Sequence, residues 1–196
     1  MGSTILKMYI TLLAPIIAGV LNMIWCKLNI FKKINKPIDF NKNFIDGKRI
    51  FGDNKTWKGF LGYIIFNISC SMILGFIWNT FNLNNMNFFY SNIPNTIYNN
   101  FIIGLLLGLG YSIFELPNSF LKRRLNIEPG KTLNGIKKIF FIFLDQADSA
   151  IGCCTALSLF YTMTFSFYIM YILLGALTHI VFNILLYFLG LRKNMF

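Results

Sequence analysis

Two aspartates interrupt a long apolar stretch in the last third of the chain. In "FFIFLDQADSAIGCC", residues 140–154, Asp145 and Asp148 are three positions apart, which places both carboxylates on one face of a helix. In a low-dielectric site two such groups repel each other unless a proton or a cation lies between them. Mg²⁺ takes oxygen ligands and usually binds through one or two carboxylates together with substrate phosphates. The spacing therefore favours a metal–phosphate site; a proton relay, or a pair exposed at a helix end, are the alternatives.

A second polar face precedes this one, in "YSIFELPNSFLKRRLNIEPGKT". Four of its residues occupy helix positions i, i+3, i+4 and i+7, namely Glu115, Asn118, Ser119 and Lys122. This spacing places an acid, an amide, a hydroxyl and a cation in one stripe. Arg123 and Arg124 follow directly, and such a cationic run is a common anchor at the end of an apolar helix. Beside carboxylates, the same cations are what a metal–triphosphate complex requires.

A third polar stretch, "NFIDGKRIFGDNKTWKGF", covers residues 43–60. Its Asp-Gly and Gly-Asp-Asn sequences predict turns, and Thr56 is predicted to cap the helix that follows. The stretch contains glycine, lysine and threonine, but their spacing is not that of a P-loop, which excludes a Walker-type nucleotide site. Together with the two helix faces, it predicts a pocket of carboxylates, cations and amides.

These groups belong to a chain that is too apolar for an ordinary soluble domain. Of its 196 residues, 56% are hydrophobic and 13% charged, and residues 8–26, 59–114 and 149–191 contain no Asp, Glu, Lys or Arg. A helix needs about 20 residues to cross the hydrocarbon core. We therefore predict an all-α polytopic membrane protein, a single transmembrane domain over residues 1–196. Its five spans are expected at about 5–27, 59–79, 101–121, 137–160 and 166–190.

The distribution of charge predicts the orientation of these spans. Of the 18 Lys and Arg residues, eight lie within 32–58, six within 122–138 and two at the C-terminus. By the positive-inside rule, the connections at about 28–58 and 122–136 and the C-terminus are expected in the cytoplasm, with the N-terminus outside. All seven acidic residues lie in or beside these connections, so we expect the chemistry there. Topology and contact with anionic lipids account for the net charge of +11, and no nucleic-acid partner is expected.

Several other features favour structural roles. The connection at 80–100 is rich in asparagine and uncharged, and we assign it no function. His179 stands alone in an apolar span, where a histidine is more often packed or hydrogen-bonded than catalytic. Three glycines of the third span are predicted to permit close helix packing: Gly104, Gly108 and Gly110. Four cysteines show no metal-binding spacing and are expected to be reduced: Cys26, Cys70, Cys153 and Cys154.

Three motifs, in this order across the predicted spans, resemble the CDP-archaeol synthase family of membrane cytidylyltransferases, which is related to CDP-diacylglycerol synthases. They are "DGKRIFGDNKTWKGFLG", "FELPNSFLKRRLNIEPG" and "FLDQADSAIG", and the resemblance covers nearly the whole chain. It implies that a cytidylyl group passes from CTP to a membrane lipid phosphate, with Mg²⁺ as cofactor and release of pyrophosphate. By the charge distribution described above, we expect the protein in the cell membrane with its site facing the cytoplasm. The "ELPNS" wording is similar to bacterial relatives, so ether-linked and ester-linked acceptors both stay open.

The resemblance also implies roles for individual residues. Asp145 and Asp148 match the paired acids that hold the metal. Glu115 stands where many archaeal members have aspartate, which keeps an oxygen ligand on a longer arm and leaves its contact with the metal open. With Lys122, these residues form the predicted catalytic set. The predicted substrate-binding residues are Asn118, Ser119, Arg123, Arg124, Lys48, Arg49, Asn54, Lys55, Thr56 and Trp57.

The residues alone are also compatible with a small proton-coupled transporter, in which buried acids relay protons. The clustering of the polar residues on one side, and the lack of charge in the connection at 80–100, favour the enzyme. The oligomeric state is not indicated by any feature of the sequence.

Overall fold

The structure, a computed structural model, describes residues 2–129, 131 and 136–190, without the side chains of 136 and 137. Part of the predicted connection at 122–136 therefore lies outside the described residues. So do the C-terminal cations Arg192 and Lys193, which contributed to the predicted orientation.

Over the described residues the chain is helical and forms no β-strand, which confirms the predicted all-α class. The six α-helices are α1 (Gly2–Thr11), α2 (Leu13–Lys27), α3 (Trp57–Thr80), α4 (Ile97–Arg124), α5 (Ile136–Ser158) and α6 (Phe165–Phe188). The last four are each long and apolar enough to cross a membrane, and α1 with α2 forms a fifth candidate span. The predicted span count of five holds if α1 and α2 cross the membrane as one unit.

The first span is bent, whereas the sequence predicted one continuous helix over 5–27. The axes of α1 and α2 differ by 45°, and Pro15 lies in the first turn of α2. Proline has no N–H to donate to the carbonyl four residues earlier, which weakens the helix at this point. The hydroxyl of Thr11 donates to the carbonyl of Lys7 (2.7 Å) and accepts from the N–H of Phe88 (3.1 Å). The break is therefore also tied to the connection between α3 and α4.

Helix α4 lies at the centre of the bundle, between α3 and α5, while α2 packs against α3 and α6 against α5. Glycines permit these close contacts, in agreement with the prediction. A Cβ atom at Gly104 would lie 2.6 Å from the Cα of Ile68 on α3. On its other side, α4 meets α5 where Gly110 faces Gly152. Backbones can approach this closely only where a side chain is absent.

The connection between α2 and α3, residues 28–56, is organised around one buried carboxylate. Asp39 accepts hydrogen bonds from the backbone N–H groups of Phe51 (2.9 Å) and Gly52 (3.0 Å) and from the Arg49 guanidinium (2.9 Å). Burial would raise the pKa of Asp39, but these donors outweigh burial and lower the pKa to about 2. We call the end of the bundle that carries this connection the basic end. The opposite end, with residues 81–96, is the asparagine end.

Candidate functional site

The two predicted polar faces meet where α4 crosses α5. Asn118 on α4 donates from one amide nitrogen to Asp145 Oδ1 (2.7 Å) and to Asp148 Oδ2 (2.8 Å) on α5. Lys122, one helical turn further along α4, donates to Asp145 Oδ2 (2.5 Å). Because Gly110 and Gly152 bring the two backbones together two turns away, these short polar side chains can reach across the interface. The predicted juxtaposition of the carboxylates with the α4 stripe is therefore present.

The oxygen atoms around Asn118 fit a hard cation. One oxygen of Asp145 and one of Asp148 lie within hydrogen-bond distance of a single nitrogen atom. The amide oxygen of Asn118 is buried without a hydrogen-bond partner, which is unusual for a buried acceptor. The described residues contain no cluster of three or more His, Cys, Asp and Glu side chains. Two carboxylates, completed by substrate phosphates, match the ligands that Mg²⁺ uses. The Asn118 amide nitrogen faces these carboxylates, so its oxygen would join them only after the amide group turns over.

Glu115 occupies a different position from the aspartates. Its carboxylate forms an ion pair with Lys55, which belongs to the connection between α2 and α3. Burial would lower the pKa of Lys55, but the adjacent Glu115 carboxylate outweighs burial and raises that pKa above its usual value. Ser119 donates its hydroxyl to the carbonyl of Glu115 (3.1 Å). In this arrangement Glu115 anchors Lys55 beside the aspartates, and the described contacts give it no direct bond to them.

The adjacent arginines at the end of α4 have different surroundings. The Arg124 side chain pairs with Asp46 (2.8 Å), donates to the carbonyl of Arg49 (2.5 Å) and stacks over the ring of Phe120 (4.4 Å). Arg123 is buried, and its Nε and Nη1 atoms have no hydrogen-bond partner. The same two atoms of Arg124 also lack a well-directed hydrogen bond, but Arg124 has the ion pair with Asp46 and the bond to Arg49, and no such pair is present at Arg123 among the described residues. A buried guanidinium without an acceptor is costly unless a ligand supplies one. Arg124 instead fixes the connection between α2 and α3 to α4.

The residues of the first motif, in the connection between α2 and α3, also fall into two groups: some line the cavity and others stabilise the connection. Asn54 and Lys55 line the cavity. Lys48 donates to the carbonyl of Arg124 (2.8 Å), and Arg49 bonds to the Asp39 carboxylate. These two predicted substrate-binding residues therefore hold the connection in shape.

The last two residues of the predicted substrate-binding set begin α3. Thr56 accepts from the N–H of Gly59 (3.2 Å), which confirms the predicted helix cap. Trp57 packs against the rings of Phe40 and Phe60. Both residues shape the entry to α3 and do not line the cavity.

The cavity around this site has a volume of about 570 Å³, within the range of small-molecule sites. At the basic end its wall is polar, formed by side chains including Asn54, Lys55, Glu115, Lys122, Arg123 and Asp148. The rest of the wall is apolar and comes mainly from α2 and α6, with residues including Leu12, Ile16, Val20, Met23, Phe182 and Leu186. One continuous space thus joins charged groups to a hydrocarbon-like surface.

Sequence reasoning missed the contribution of α6 to this cavity. Gly175, His179 and Asn183 recur at intervals of four residues, which places them on one face, and all three line the space. His179 bonds through Nε2 to the Tyr111 hydroxyl (3.1 Å), in agreement with the predicted hydrogen-bonded role. Asn183 donates to Gln146 (2.6 Å) on α5. The four-residue spacing was visible in the sequence, but a mixed set of glycine, histidine and asparagine does not by itself suggest a ligand.

The fold and the site together define a polytopic membrane protein with a polar site buried between its helices. A solved structure of an intramembrane enzyme for archaeal membrane lipid biosynthesis has the same fold. It superposes with a TM-score of 0.60 at 22% identity, over 90% of this chain and 92% of that one.

Sequence comparison identifies the family. A CarS-like family model, CDP-archaeol synthase, matches residues 8–196. The CDP-archaeol synthase of Methanocaldococcus jannaschii is 33% identical over 159 residues, covering 80% of this chain and 81% of the relative. That of Methanoculleus marisnigri is 29% identical over 163 residues, covering 80% and 87%. The chain belongs to the CDP-archaeol synthase family, which confirms the resemblance found in its motifs.

Proposed function

We propose that this protein transfers a cytidylyl group from CTP to a membrane lipid phosphate, releasing a CDP-lipid and pyrophosphate. The observation that carries the proposal is the mixed character of the cavity. Its charged groups offer carboxylates and cations to a metal–triphosphate, and its apolar wall along α2 and α6 offers a surface to hydrocarbon chains. An enzyme that joins a water-soluble nucleotide to an amphiphile needs both surfaces in one space. Membership of the family supports the same activity.

Asp145, Asp148 and the Asn118 amide oxygen would hold a Mg²⁺ ion in this scheme. When bound, the ion would neutralise part of the charge of the triphosphate. Lys122, bonded to Asp145 Oδ2, keeps that carboxylate oriented. The metal assignment is consistent with the orphaned amide oxygen, because a cation would satisfy it.

The reaction needs little acid–base chemistry from the protein. A phosphate monoester is already anionic at neutral pH, so one of its oxygens attacks the α-phosphorus of CTP without a general base. A new phosphorus–oxygen bond forms as the bond from the α-phosphorus to the bridging oxygen breaks, and pyrophosphate leaves with that electron pair. Arg123 provides positive charge for the departing group, and Lys55 provides more from the side of Glu115. The protein thus acts by positioning and by electrostatic stabilisation.

We assign the basic end to the cytoplasmic side of the cell membrane, with the N-terminus outside. The lysine-rich connection between α2 and α3 supports this orientation by the positive-inside rule. CTP would then enter the polar end of the cavity from the cytoplasm. The acceptor lipid would reach the apolar wall along α2 and α6 from the inner leaflet.

The proposal is tested with purified protein in detergent, supplied with CTP, Mg²⁺ and a panel of ether-linked and ester-linked lipid phosphates. We expect CDP-lipid and pyrophosphate in equal amounts, and none when CTP, lipid phosphate or Mg²⁺ is omitted. Asp148→Asn should abolish product without unfolding the protein. Asp53→Asn, at an exposed acid of the same end, is the matched control and should leave turnover unchanged. Normal turnover by Asp148→Asn would refute the metal site, and wild-type inactivity on every acceptor would refute the function.

A further inference from the structure

Beyond the metal site, three neutral polar groups from three helices converge on the cavity. The Tyr111 hydroxyl of α4 lies 3.1 Å from His179 Nε2 of α6, and Ser149 of α5 lines the same cavity as these two residues. The mechanism proposed above uses none of them.

The Tyr111 ring is held firmly in this position. It stacks on the ring of Tyr63, with centroids 3.8 Å apart. The Tyr63 hydroxyl donates in turn to the carbonyl of Pro15 (3.0 Å), at the bend of the first span. Because stacking and the contact with His179 constrain the same ring, the phenol is pre-organised, which lowers the entropic cost of binding a ligand there.

The level of this cluster in the bundle indicates which part of a ligand it meets. Tyr111 precedes Glu115 by four residues on α4, and Ser149 follows Asp145 by four on α5. Tyr111 is therefore one turn, about 5 Å, further from the basic end than Glu115, whereas Ser149 directly follows Asp148 and lies beside the charged groups. The apolar wall at or beyond the level of Tyr111 includes Leu12, Ile16 and Tyr171. Tyr111 marks the transition from the charged to the uncharged part of the cavity.

A lipid phosphate of the inner leaflet also changes from polar to apolar at that level. With its phosphate at the metal site, its hydrocarbon chains point away from the basic end. The oxygens that link the chains to glycerol lie between the two. Ether oxygens and ester carbonyl oxygens are both hydrogen-bond acceptors, so a site for either must supply a donor. When His179 Nε2–H donates to the phenolic oxygen, the Tyr111 O–H is left to donate to a ligand.

We propose that Tyr111 binds a glycerol-linkage oxygen of the acceptor lipid and that His179 is a positioning residue that orients the Tyr111 hydroxyl. The inference rests on the proposed function, since it assigns part of the acceptor site. It makes the cluster a selector for glycerol-based lipid phosphates over phosphates that carry only an alkyl chain. No charge is required, in keeping with the neutral side chains present.

The test measures KM for lipid phosphate and for CTP separately, in wild type and in Tyr111→Phe. Loss of one hydrogen bond should raise the lipid KM about fivefold to tenfold, with the CTP KM within about twofold of wild type. His179→Leu should raise the lipid KM similarly, whereas His179→Gln, which keeps a hydrogen-bonding group, should restore most of the affinity. Inhibition by dodecyl phosphate, which lacks linkage oxygens, should be equal in wild type and Tyr111→Phe.

Tyr168→Phe is the matched control. The Tyr168 hydroxyl bonds to Thr155 (2.9 Å) across α5 and α6 but does not line the cavity, so its loss should leave both KM values unchanged. An unchanged lipid KM in Tyr111→Phe, an equal rise in both KM values, or an equal loss of dodecyl phosphate inhibition would overturn the inference. An inactive wild type would instead refute the proposed function, so the two failures are distinguishable.

Discussion

The two ends of the bundle both contain many polar side chains, but they use them differently. At the asparagine end, amides bond to one another and to the backbone. Asn95 donates to the carbonyl of Gly75 (2.8 Å) and to the side chain of Asn84 (2.6 Å). Asn100 donates to Asn95 (2.7 Å) and accepts from the Tyr90 hydroxyl (2.8 Å). Each group finds a partner within the connection or its flanking helices, so this network serves stability.

Near the basic end, the side chains are charged and some are left without partners. The amide oxygen of Asn118 and two guanidinium nitrogens of Arg123 are buried and unbonded, and one amide nitrogen joins two carboxylates. Such features cost stability unless a ligand completes them. The comparison distinguishes polar side chains that stabilise the fold, at the asparagine end, from polar side chains that lack partners unless a ligand binds, in the cavity. Substitutions at the asparagine end should therefore cost stability, and those in the cavity should cost activity.

The largest expected effect concerns the adjacent residues Arg123 and Arg124, one of which is expected to affect activity and the other stability. If Arg123 binds the triphosphate as proposed, Arg123→Gln should lower kcat/KM for CTP by about 100-fold to 1,000-fold, because a charge-assisted contact is lost. Its melting temperature should stay equal or rise, since an unpaired buried charge is removed. Steady-state kinetics and thermal unfolding in detergent measure both quantities.

Arg124→Gln is the matched control for this prediction. It removes the ion pair with Asp46 and the contact with Phe120, so it should lower the melting temperature and leave kcat/KM within about fivefold of wild type. If Arg124→Gln lost more activity than Arg123→Gln, the division of roles between the two arginines would be wrong.

The second prediction concerns the close contact of α4 and α5. A Cβ at Gly152 would overlap the backbone carbonyl of Gly110, so Gly152→Ala must push the helices apart. We expect destabilisation of about 2–3 kcal/mol together with loss of activity, because Asn118 would no longer reach Asp145. Unfolding in detergent and turnover at a temperature where the variant is folded measure the two effects.

A matched glycine at the asparagine end sharpens the comparison. A Cβ at Gly75 would overlap the Asn100 amide; moving that amide breaks its bonds to Asn95 and Tyr90 but does not require the helix backbones to separate. Gly75→Ala should therefore cost less stability than Gly152→Ala and keep wild-type activity per folded molecule. Equal losses of activity in both variants would show that the two crossings are equally coupled to the site.

Much of this arrangement could be predicted from the sequence, because it depends on local spacing. Helix periodicity placed Asp145 and Asp148 on one face and Glu115 with Lys122 on another, and charge-free runs located the spans. The bend in the first span depends on how Pro15 is accommodated among neighbouring helices, which periodicity does not report. The span boundaries shifted by only a few residues.

What the sequence left undecided depends on contacts between distant segments. Arg123 and Arg124 are equivalent by residue type, and only the position of the connection between α2 and α3 separates them. The pairing of Glu115 with Lys55 also joins distant segments, so helix periodicity could not predict it. The α6 face was missed because its residue types have no chemistry in common until Tyr111 lies opposite His179.

The third prediction tests whether the connection at the basic end is held by Asp39. Its folded pKa of about 2 is below the unfolded value of about 3.9. The unfolded state therefore binds more protons as the pH falls between these values. The stabilisation, about 2 kcal/mol, should be complete above about pH 4 and disappear as the pH falls to about 2. Asp39→Asn should remove it at all pH values.

The measurement compares the unfolding of wild type and Asp39→Asn across this pH range, since the difference cancels other carboxylates that titrate there. The gap between the two proteins should close as the pH falls. A gap that stays constant from pH 5 to pH 2 would contradict the assignment of the low pKa to Asp39.

The smallest effect is expected where the asparagine network is cut by Asn95→Ala. The variant loses bonds to Gly75, Asn84 and Asn100, but water can reach this half-buried side chain, so the net cost should be about 1 kcal/mol. Turnover per folded molecule, and KM for both substrates, should match wild type, because the network holds no group that faces the cavity. A changed KM with little loss of stability would be the more informative result. It would mean that a change in packing at the asparagine end shifts α4 and thereby moves Asn118 in the cavity. The polar residues that stabilise the fold and those that bind the substrate would then be structurally coupled.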